Sequence, residues 1–193
     1  MKSIIITIAL VFISTLTFGQ AKKYKISSKG ESIGSLIMHE TNIDGTKHIE
    51  VVSQMKVKVV VEVGLMYKLN SVFQNGNLHY SSVTTYVNGH VHSTSITENK
   101  GDHYLLTVDG HQTKKFMKIK FSEAMMYMTE PVGHKWIYSE IDDIMKPIKS
   151  LGNHVYEMTN PKNGHKSKYY YKDGILEKTN IPESIVPFFL ELI

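Results

Sequence analysis

The chain has 193 residues, a formal net charge of +4 at pH 7, and no cysteine. The missing thiols exclude disulfides, thiolate catalysis and thiolate metal ligands. All the basic residues are lysine, so bidentate arginine recognition of phosphates or guanine edges is excluded and nucleic acid is not an expected partner.

The N-terminus has the layout of a secretory signal. Lys2 precedes an apolar run over residues 4–18, and small residues (Thr17, Gly19, Ala21) follow within reach of a cleavage site. The run is short for a spanning helix. The expectation is a signal peptide over residues 1–20 and one domain over 21–193. The mature chain would be exported to the periplasm or the outside of the cell and would not span a membrane.

Residues 24–27 and 31–41 read as strands around the turn Ser28-Lys29-Gly30, with Gly34 as a bulge or close backbone approach. Asp44-Gly45 is a hairpin turn, and residues 47–63 form one bent strand or two. The stretch from Leu65 to Thr97 is the most informative. Its extended segments are joined by Asn75-Gly76 and Asn88-Gly89, dipeptides suited to type I′ turns, which need positive φ at both central positions.

Counting from two-residue turns pairs Phe73 with Leu78, Ser71 with Tyr80, Tyr86 with Val91 and Thr84 with Ser93. Alternation then places Tyr67, Leu69, Phe73, Leu78, Tyr80, Thr84, Tyr86 and Ser93 on one inner face. Lys68, His79, Thr85, His90 and His92 fall on the outer one. Aromatic rings mixed with small hydroxyl residues suit the wall of a ligand cavity, and these eight are the expected binding residues. A core filled completely by other strands, Trp136 and the C-terminus is the competing expectation.

Downstream, residues 111–121 read as a strand that alternates lysine with apolar side chains, and Ser122 begins one helical turn, with its hydroxyl available as a cap. Residues 136–139 read as a strand and 142–152 as the least regular piece. Residues 154–158, 166–172 and 175–178 are further strands, with Asn163-Gly164 and Asp173-Gly174 as turns. Three Asn-Gly and three Asp-Gly dipeptides separate extended runs, the spacing of a meander. Pro182 and the dense apolar end from Ile185 to Ile193 predict a short C-terminal helix, kinked or interrupted at Pro187. The predicted fold class is therefore mainly all-β: a strongly curved antiparallel meander or incomplete barrel with one short C-terminal helix.

No catalytic, metal or cofactor site is expected. His79, His90 and His92 share the solvated lysine-bearing face, and Glu140, Asp142 and Asp143 read as a solvated acidic loop. No Gly-x-Ser-x-Gly elbow marks a nucleophile. The leading expectation is a non-enzymatic binding protein for an apolar or amphipathic, lipid-like small molecule. An envelope structural or protein-interaction module is the alternative, and a hydrolase comes third.

Gly30-Glu31-Ser32-Ile33-Gly34, the run from Phe73 to Leu78, the run from Tyr86 to Gly89, Tyr127-Met128-Thr129-Glu130-Pro131 and the run from Tyr169 to Gly174 carry a resemblance. Together they resemble a family of small exported all-β proteins of Bacteroidota-type bacteria, a domain of unknown function. That resemblance implies no catalytic residue. In architecture the pattern is also similar, by analogy alone, to periplasmic lipoprotein carriers and lipocalins.

Overall fold

In the computed structural model, residues 19–58, 61–182 and 187–193 are described. Residues 1–18 of the expected signal stretch and 183–186 of the expected C-terminal helix lie outside them, while Gln20, expected to end the signal, begins β1. The chain forms fourteen strands in order: β1 (Gln20–Ser28), β2 (Glu31–Ile43), β3 (Thr46–Lys58), β4 (Glu62–Gln74), β5 (Asn77–Val87), β6 (His90–Asn99), β7 (Tyr104–Val108), β8 (His111–Lys115), β9 (Trp136–Ser139), β10 (Ile144–Gly152), β11 (Val155–Thr159), β12 (Lys166–Lys172), β13 (Ile175–Ile181) and β14 (Phe188–Leu192).

All fourteen belong to one open antiparallel sheet, ordered β8-β7-β6-β5-β4-β3-β2-β1-β14-β13-β12-β11-β10-β9. Two meanders therefore meet where β1 pairs with β14, Tyr24 opposite Leu192 and Ile26 opposite Leu190. Hairpin chemistry sets the corners. Asp44, Asn75, Asn88, Asp109 and Asp173 have φ of +46° to +52°, each followed by a positive-φ glycine. Asn163-Gly164 instead closes a longer loop, with the Gly164 amide donating to the Asn160 carbonyl.

The expected C-terminal helix is not formed over residues 188–192, which are strand β14. Between β1 and β13 this segment gains ladder bonds on both edges. Its burial alternates with period two, so Leu190 is buried and Glu191 exposed.

The linker from β8 to β9 crosses the concave side of the sheet and becomes its core. Ile119, Phe121, Ala124 and Met126 are buried there, around a 3₁₀ turn at Glu123–Tyr127. Ser122 does not cap that turn through its side chain; it is itself buried and bridges to Tyr138 of β9. Sheet groups hold the insertion in place. The Leu78 amide donates to the Ile119 carbonyl at 2.8 Å, and the Tyr171 hydroxyl to the Met126 carbonyl at 2.9 Å. The Tyr24 hydroxyl reaches the carbonyls of Tyr127 and Leu176, at 2.9 and 3.0 Å. Tyr24, Ile26, Met38, Leu69, Leu176 and Leu190 are essentially fully buried beneath it, each such side chain contributing about 1.5–3 kcal/mol relative to exposure.

Candidate functional site

Two β-bulges decide which side chains reach the interior. In the β4–β5 ladder Phe73 pairs with Leu78 and Val72 with Tyr80, leaving His79 unpaired. In the β5–β6 ladder Tyr86 pairs with Val91 and Thr85 with Ser93, leaving His92 unpaired. Each extra residue reverses the alternation beyond it. Ser81, Val83 and Thr85 therefore point inward.

The expected inner positions of Tyr80, Thr84 and Tyr86 are corrected to the convex face, opposite Val72, Lys68 and Met66. The Lys68 ammonium sits 5.7 Å from the Tyr86 ring centroid on that side. Ser93 keeps its inward position, its hydroxyl 2.6 Å from that of Thr85. Leu69, Phe73 and Leu78 are buried in the core. The histidines His79, His90 and His92 are exposed.

The small inward hydroxyls leave room for protein, not for a cavity. Thr97 Oγ1 lies 2.7 Å from the Tyr138 hydroxyl, and that hydroxyl donates to Asp143 Oδ1 at 3.2 Å. Ser95 donates to the same Asp143 oxygen at 2.6 Å, and Ser71 donates to Glu140 Oε1 at 3.1 Å. The acidic stretch expected to be a solvated loop is thus folded into the concavity. Glu140 is 1% exposed, and its second oxygen has no partner among the described residues. Burial pushes its carboxyl up to about 7.

The cavity lies beside this insertion, in the trough between β1–β4 and β11–β14. It is half-enclosed and holds about 320 Å³, the scale of a small-molecule site. Its apolar walls come from Leu36, Met55, Leu65, Ile181, Phe188 and Leu190. These belong to inward rows of β2, β3, β4, β13 and β14, so the sheet's curvature brings distant chain segments to one wall. Of the eight residues expected to bind a ligand, Tyr67 alone borders the cavity.

One end of the cavity is polar. Lys146, on an inward position of β10, places its ammonium 2.8 Å from Glu123 Oε1 and 2.6 Å from Asp142 Oδ2. Burial opposes charge on Lys146, but the two carboxylates outweigh it and raise its pKa. Burial likewise works to raise Asp142, and the Lys146 bond and charge overcome it, leaving Asp142 below the usual carboxylate range. Tyr67, Tyr127 and Tyr169 stand around this end. Desolvation, with the charge of Glu123 nearby, holds all three phenols well above their ordinary pKa. An inward lysine was the hardest of these features to foresee, because alternating lysines otherwise mark solvated faces here.

An open all-β half-barrel, plugged on its concave side and carrying an amphipathic cavity, is the class of protein that these features define. The chain belongs to a family described as a domain of unknown function, DUF6134, whose model matches residues 24–193. No curated protein and no solved structure matches it. No helix among the described residues is long and apolar enough to cross a membrane.

Proposed function

We propose that this chain is a non-enzymatic binding protein that holds an apolar or amphipathic small molecule, such as a lipid-like chain, in the trough beside the plug. The cavity carries the reading: apolar walls over most of its lining and a single polar end match the usual composition of a ligand site. The N-terminal apolar run supports export to the periplasm or beyond. The motifs from Gly30 to Gly34 and from Tyr169 to Gly174 support an origin in Bacteroidota-type bacteria, and a half-open sheet around a cavity supports the analogy with lipocalin-like carriers.

Native mass spectrometry of the gently purified chain tests this. The expected result is a bound species of lipid mass that disappears in Leu65→Trp, whose larger ring fills the cavity. An empty protein that no lipid extract stabilises against heat overturns it.

A second reading is an envelope interaction module. Strand β8 is exposed along its whole length at a free sheet edge, and Phe116 beside it is 80% exposed. An envelope pull-down that returns a protein partner lost on Phe116→Ser, from a chain carrying no ligand, favours that reading.

A further inference from the structure

The polar end of the cavity has a definite electrostatic sense. Glu123 and Asp142 border it, whereas Lys146 is the one cationic side chain among the described lining residues. Its ammonium is already shared between those two carboxylates, at 2.8 and 2.6 Å. A second lysine, Lys162, approaches Asp142 from the solvent side, 3.6 Å from Oδ1, and is more than half exposed. Water screens that charge far more than it screens the buried trio. Glu140, fully buried and hydrogen-bonded to Ser71, adds a further carboxyl within electrostatic reach of Tyr67 and Tyr127.

Aromatic groups supply the independent observation. Tyr67, Tyr127 and Tyr169 border the cavity, each within electrostatic reach of Glu123. The hydroxyls of Tyr67 and Tyr127 donate no hydrogen bond among the described residues, unlike those of Tyr24, Tyr104, Tyr156 and Tyr171. Ring faces beside a carboxylate attract an organic cation, through the ring quadrupole and through direct Coulomb attraction. An anionic head meets the opposite situation. It must either sit against Glu123 and Asp142 or displace one of them from Lys146, leaving that carboxylate buried and unpaired.

We propose that the cavity selects an amphiphile with an ammonium head over one with a carboxylate or phosphate head. The head rests against Tyr67, Tyr127 and Tyr169 beside Glu123 and Asp142, and the tail runs along Leu36, Met55, Leu65, Phe188 and Leu190. This assignment rests on the binding role proposed above and deepens it.

Isothermal titration of the chain with laurylamine, lauryl alcohol and laurate, matched in tail and kept below micelle formation, separates the two proposals. The expected result is laurylamine binding at least about tenfold more tightly than laurate at neutral pH, with the alcohol between them. Asp142→Asn narrows the gap; Glu123→Gln serves the same purpose if that variant does not fold. Leu65→Trp abolishes amine binding. Laurate or the alcohol binding as tightly as the amine overturns the head-group assignment and leaves the cavity reading standing. Amine binding that survives Leu65→Trp lies outside the cavity and also overturns the assignment. Failure of all three ligands overturns both proposals.

Discussion

Ser71 and Glu140 meet inside the concavity, the hydroxyl of β4 donating to Glu140 Oε1 at 3.1 Å, while the other carboxylate oxygen is buried with no partner among the described residues. A sheet hydroxyl thus anchors the inserted segment through a carboxyl that is out of water. Desolvation raises that carboxyl to about 7 from an ordinary 4.5.

The raised pKa has a signed consequence. Below about pH 4.5 the carboxyl is protonated in both folded and unfolded chains, and its burial carries no charge penalty. As pH rises towards 7 the unfolded chain ionises first, so stability falls. Above the folded pKa the loss levels off at roughly 3 kcal/mol. Glu140→Gln is expected to match wild type in urea midpoint near pH 4 and to exceed it near pH 8. A variant less stable than wild type near pH 8 contradicts the assignment.

Lys146 lies between Glu123 and Asp142 with little exposure. Lys146→Met leaves two carboxylates facing each other in a poorly hydrated site, and a loss of about 3–5 kcal/mol is expected. Adding Glu123→Gln and Asp142→Asn to that variant restores most of the loss, because no uncompensated charge remains. Denaturant unfolding of the single and triple variants checks both statements.

Tyr138 ties β9 to β6 through Thr97. Tyr138→Phe is expected to cost about 1–2 kcal/mol, with a coupling of about 1 kcal/mol to Thr97→Val in a double-mutant cycle. Additivity of the two substitutions contradicts the bond.

Gly34 is the glycine for which space decides. A Cβ there would stand 2.0 Å from the Gln54 carbonyl oxygen and 2.7 Å from Met55 Cα, both backbone atoms of β3. Gly34→Ala is expected to cost about 3 kcal/mol or more, since the strands must part. Gly30→Ala meets no atom within 4 Å but has φ of +85°; its cost is expected at about 1–2 kcal/mol. Comparison of the two melting temperatures checks the order.

The corners of the fold were legible because their cause is local: Asn-Gly and Asp-Gly accept positive φ whatever surrounds them. Face assignment between the two bulges, from Tyr80 to Val91, was not, because the unpaired His79 reverses it and the unpaired His92 restores it. The bulge at His79 brings Val83 beneath Leu69, a choice made by the core and not by the hairpin. A cue stood in the sequence, since Val83 is the one aliphatic residue between Leu78 and Val87, and strict alternation left it outside. The segment of β14 misled for a related reason. Phe188 to Leu192 owe their strand to β1, at the far end of the chain, and apolar density alone does not distinguish strand from helix. The polar end of the cavity was hidden because Lys146 breaks the pattern set by the other lysines.

Strand β14 stands between the opening and closing halves of the molecule, with Ile26 opposite Leu190 on one edge and Thr179 opposite Leu190 on the other. Without β14 the β1 and β13 edges that it bridges have no common partner strand. The trough between the two arms would then lack the walls that Phe188 and Leu190 supply. The joining of the two arms therefore rests on β14, a single five-residue strand that both arms share.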